Sequence, residues 1–113
     1  MIDPVIEATI DLLRETRESV AESVHGLTLA DAQRKQLQVA IAREYREQIN
    51  PATSKNYSEK LADDLARTDA RYVECLATIA SSVLERDRLL AKAEALHFTI
   101  AARIAAQTNG ALV

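Results

Sequence analysis

The sequence predicts an all-α fold: an antiparallel helical hairpin packed on a long C-terminal helix, with the bundle completed by oligomerisation. Three observations carry this expectation. Breakers are scarce, with two Gly and two Pro in 113 residues. Ala occurs 20 times and, with Leu, Glu, Arg and Gln, favours helix along almost the whole chain. Apolar residues recur at helical spacing, and in the last third of the chain they do so on more than one side of the helix. The length suits a single helical domain over 1–113.

Asp3-Pro4 is a start signal, a side-chain acceptor followed by Pro at the first helical position. Helix 1 is expected over 4–24, with Ile6, Ile10, Leu13, Val20 and Val24 as its apolar stripe and Arg17 snorkelling at the edge. Gly26 reads as the residue that ends it, and His25 as a cation in its last turn. Thr28 then caps a second helix over 29–48, whose inner side is Ala30, Leu37, Ile41, Tyr45 and Ile49. A connection this short implies an antiparallel hairpin.

Asn50-Pro51 opens a polar loop over 50–57. Ser58 caps a short helix over 58–67 anchored by Leu61 and Leu65, and Thr68-Asp69 offers a break. The long helix follows over 69–107 and ends at the signal Asn109-Gly110. It carries one stripe through Tyr72, Leu76, Ile79, Val83, Leu90, Ala93, His97, Ile100 and Ile104. A second runs through Ala77, Ala80, Leu84, Ala91, Ala95, Phe98, Ala102 and Ala105. Glu85-Arg86-Asp87-Arg88 interrupts both. At the helical rise it measures roughly 58 Å, against about 30 Å for helix 2. The hairpin is therefore too short to cover it. The overhang, Leu89 to Ile104, is expected to pair with another chain, with Leu89, Leu90, Leu96, Phe98, Ile100 and Ile104 as the interface.

Composition narrows the function. The net charge of −3, with acids and bases intermixed, gives no long-range pull toward nucleic acid or anionic lipid. The basic side of helix 2 (Arg34, Lys35, Arg43, Arg46) is interleaved with Glu44 and Glu47, so it offers no uncompensated stripe for phosphates. A single Cys75, no leader-like N-terminus and no charge-free apolar window point to a cytoplasmic protein with no membrane partner. Heavy Ala and Arg usage with little Lys suits a bacterial or phage gene of high GC content.

One pattern could carry chemistry. Glu22-Ser23-Val24-His25 and Glu94-Ala95-Leu96-His97 both read Glu-x-x-His, whose members share a helix face. Two such pairs with two further Glu, for which Glu44, Glu47 and Glu74 are available, form the di-metal site of ferritin-like bundles. Against this, capping accounts for His25, and an ordinary core or interface role accounts for His97. No nucleophile sits in an elbow, and the two Gly make no phosphate loop. Cys75 beside Leu76 reads as a small core residue. The sequence therefore points to a non-enzymatic helical interaction or adaptor protein, a homo-oligomer in coiled-coil style, needing no cofactor and binding a macromolecule it does not name. The Glu-x-x-His metal bundle (Glu22, His25, Glu94, His97) and a nucleic-acid-binding helical protein are the alternatives.

Overall fold

The computed structural model describes residues 3–111, with side chains of residues 3–109. The chain is helical in three elements, α1 (Pro4–Arg46), α2 (Glu59–Thr68) and α3 (Ala70–Ala111), with a two-stranded ribbon of β1 (Ile49–Asn50) and β2 (Lys55–Asn56) between the first two.

The hairpin expected around Gly26 does not form. Helices 1 and 2 are one continuous helix of 43 residues. The reason is energetic. Gly inside a helix costs only about 1 kcal/mol relative to Ala, whereas two new helix ends leave up to eight backbone groups without helical partners. Leu27, Leu29 and Ala30 carry the helical pattern straight on, and Gly26 does not adopt a positive φ. Space for a methyl group at Gly26 is open. Gly26→Ala should therefore raise stability by about 0.5–1 kcal/mol, read as a higher Tm; a fall would mean that the chain needs a flexible point there.

Helix α1 stops at Arg46 because Asn50-Pro51 cannot continue it. The expected loop is a tight antiparallel ribbon with Ile49 opposite Asn56 and Asn50 opposite Lys55. Ile49, expected on the inner side of a second helix, stands exposed in this ribbon. The Asn50 side chain accepts from Ala52 N–H at 3.0 Å, and its carbonyl accepts from Ser54 N–H at 2.9 Å. Ser54 closes the turn at φ 59°, the left-handed region that polar loop residues tolerate. Ser58 caps α2 as expected, accepting from Leu61 N–H at 3.3 Å. Asp69 makes the break between α2 and α3: it is the C-cap of α2, and its carboxylate accepts from Arg71 N–H at 2.9 Å. The last helix does not stop at Asn109-Gly110 but runs to Ala111; Leu112 and Val113 lie outside the described residues.

The chain divides into two compact units, Gly26–Ser82 and Met1–His25 with Val83–Val113. The Gly26–Ser82 unit holds the better core. Ile41, Ala42, Ala66 and Tyr72 are buried together, with Leu37 and Tyr45 packed against them. The inner residues of α2 are Ala62 and Ala66, both fully buried, rather than the expected Leu61 and Leu65; Leu61 is exposed. Small side chains one turn apart let a helix approach closely, which bulkier Leu would prevent. The other unit pairs the N-terminal part of α1 with the C-terminal part of α3. Its buried side chains, among the described residues, are Ile6, Leu13 and Thr16. Ile10 and Val24 of the expected stripe are exposed, and Thr16 takes an inner place by donating its hydroxyl to the Leu12 carbonyl at 2.7 Å.

Candidate interaction surface

The Gly26–Ser82 unit is tied by two polar clusters. Arg71 donates to Glu44 at 2.7 Å and to Asp69 at 3.0 Å, and the Tyr45 hydroxyl donates to Asp69 at 3.0 Å. The Tyr57 ring meets Tyr45 edge-on, with centroids 6.4 Å apart. In the second cluster Arg34 donates to Asp31 and to the Tyr72 hydroxyl, both at 2.9 Å. The basic side expected on helix 2 is thereby partly neutralised, since Arg34 and Lys35 share Asp31.

Arg71 holds the Asp69 carboxyl down to about 2, helped by backbone and Tyr45 hydrogen bonds. The same cluster lowers Glu44 through Arg71 and raises Tyr45 through Asp69. For Asp69 the folded value lies below the ordinary 3.8, so its contribution is complete above pH 4 and is lost as pH falls toward 2. Asp69→Asn should lower the Tm at neutral pH, and the gap from wild type should close between about pH 4 and 2. A gap that persists unchanged to pH 2 would assign the loss to capping alone.

The unit formed by residues 1–25 and 83–113 is different in kind. Its two helical segments run antiparallel and are joined at one end by Asp3. That carboxylate caps α1 by accepting from Val5 N–H at 2.8 Å. It also accepts from Arg103 at 2.8 Å and Gln107 at 3.0 Å. The Arg103 bond, with the Val5 N–H next, holds Asp3 below its usual carboxyl value. Asp3 was legible as a cap; its second role, across 100 positions in sequence, was not.

The six expected interface residues divide into two sets. Leu89, Leu96 and Ile100 are half-buried and, with Ala93, share the inward face of α3. Leu90, Phe98 and Ile104 are exposed by 43%, 72% and 49%. The second apolar stripe is outward along its length in this unit: Leu84, Ala91, Ala95, Phe98, Ala102 and Ala105 are all exposed. Helix α1 adds Val5 and Leu12, also exposed, which no sequence pattern singles out. A shallow groove of about 410 Å³ runs between the two segments, lined by Arg17, Val20, Leu90, Ala93, Glu94 and His97.

Glu22, His25, Glu94 and His97 all belong to this unit and all are exposed. Glu94 and His97 share the groove; Glu22 and His25 do not line it. Among the described residues no three His, Cys, Asp or Glu side chains gather where a metal ion could be held. With α1 continuous, the capping role expected for His25 at a helix end does not arise. Cys75 is a half-buried free thiol in the other unit. No described helix is long and apolar enough to cross a membrane. Comparison of the chain with protein-family models, with curated proteins and with solved structures finds no match.

Proposed function

We propose that this chain is a non-enzymatic helical interaction protein that acts by binding another macromolecule through the apolar surface of the unit formed by residues 1–25 and 83–113. The observation that carries the reading is the imbalance within that unit. Three described side chains are buried, while Val5, Leu12, Leu84, Leu90, Phe98 and Ile104 face outward. A lone exposed Leu needs no explanation, but this many large apolar side chains exposed in one small unit support a contact surface there.

The exposed Ala residues of α3 suit a helical partner, since small side chains permit close approach. A cytoplasmic setting, suggested by the single Cys75, belongs to the same proposal.

The test combines two measurements on the whole chain. Sedimentation equilibrium over a wide concentration range reads self-association, and affinity capture from the source cells with wild type and with Phe98→Asp reads other partners. Association lost on the substitution supports the reading. A wild type that is monomeric at every concentration, and that captures the same proteins as Phe98→Asp, contradicts it.

A further inference from the structure

We propose that the occupant of this surface is a second copy of the chain, its α3 antiparallel to the first about a two-fold axis at the level of Ala95–Leu96. The inference rests on the reading of this unit as an interaction surface and adds its partner and register.

The groove side of α3 carries a seam at alternating spacings of four and three residues. Its middle is Leu90, Glu94, His97 and Ala101, with Ile104 beyond, all exposed. That is the spacing with which two helices pair along their length. Two members, Glu94 and His97, are polar and lie side by side at its centre. Against an unrelated apolar helix both would lose water without gaining a partner. Against a second copy the difficulty disappears. A two-fold axis between residues 95 and 96 brings Glu94 level with the partner's His97, and by symmetry His97 level with the partner's Glu94. Each carboxylate then has an imidazole across the interface.

The same axis sets Leu90 against the partner's Ala101, a large side chain facing a small one, and does so twice. Phe98 flanks the seam and passes over the partner's Ala91. Asp87 meets the partner's Ile104 at the rim, where Arg86 of its own helix already holds it at 3.1 Å. Arg17 borders the groove from α1 and adds a cation on the side of the two carboxylates. The Glu-x-x-His pair at 94–97 thus acquires a role as a self-complementary pairing code.

The register is tested with two single substitutions, Glu94→Lys and His97→Glu, alone and mixed. Both sites are exposed, so each protein should keep the wild-type helical content. Alone, His97→Glu sets carboxylate against carboxylate at two places, and Glu94→Lys removes both acceptors. Each should weaken the dimer about tenfold in Kd. In an equimolar mixture the introduced lysine of one chain faces the introduced glutamate of the other. The native His97 of the first chain then faces the native Glu94 of the second, so a mixed dimer of near wild-type affinity should form. Pairing within one helix does not produce that recovery. Equal affinities for all samples beside a dimeric wild type would overturn the register and leave the interaction reading standing. A monomeric wild type that binds another macromolecule through Phe98 would overturn the second copy alone. A wild-type dimer that EDTA dissolves would replace the direct pairing by a metal bridge, and so would also overturn it.

Discussion

Ile41→Ala should unfold the chain at a markedly lower temperature than any surface change. Ile41 is fully buried and centres the cluster with Ala42, Ala66 and Tyr72. Removing its outer carbons loses their transfer energy and leaves a hole that rigid helices cannot close. The expected cost is about 3 kcal/mol, and for a domain of this size that lowers the Tm by about 12 °C. Ile41→Val should cost about 1 kcal/mol. Val39→Ala, on the same helix but half exposed, should change little. Thermal melts followed by circular dichroism separate the three. Equal melts for Ile41→Ala and Val39→Ala would mean that the Gly26–Ser82 unit does not hold the principal core.

Phe98→Asp should have the opposite profile, with normal helical content and lost association. Phe98 is 72% exposed, so the single chain has little packing to lose at this site. In an association that covers the ring, burial of the exposed part is worth about 2 kcal/mol per copy, or roughly thirtyfold in Kd. A buried unpaired carboxylate adds to that. Leu96→Asp and Ile100→Asp are the useful contrast. Both residues are half-buried on the inward face of α3, so a charge there should disturb the chain itself as well as any partner. A Phe98→Asp protein that unfolds would show that the ring supports the single chain; one that associates as wild type does would place the contact elsewhere.

The all-helical character was readable because composition and spacing agree over most of the chain. Asp3, Ser58 and Asp69 were readable as caps because capping is local chemistry. The expected break at Gly26 does not form, for a physical reason. A capping pattern states what a terminus would look like if one formed, and one Gly inside a long apolar pattern is too weak to force it. Ala62 and Ala66, rather than Leu61 and Leu65, anchor α2, because residue size is a poor guide when helices come close enough to bury Ala. The clasp of Asp3 to Arg103 and the Tyr45–Asp69–Arg71–Glu44 cluster join residues far apart in sequence, and no local pattern announces them.

The candidate surface was half legible. Two-sided apolarity in Leu89 to Ile104 drew attention to α3. It did not say which side the chain uses itself, and that division needed the burial of Leu89, Leu96 and Ile100 beside the exposure of Leu90, Phe98 and Ile104. The charged stretch Glu85 to Arg88 begins three residues after the point, Ser82, at which α3 passes from one compact unit to the other.

The proposed pairing joins the exposed side of residues 83–109 of α3 to a second copy. Sedimentation equilibrium of the unmodified chain tests it most directly. The expected result is a concentration-dependent rise to twice the 12.4 kDa of one chain, abolished by Phe98→Asp. A single species of 12.4 kDa at every concentration would contradict it.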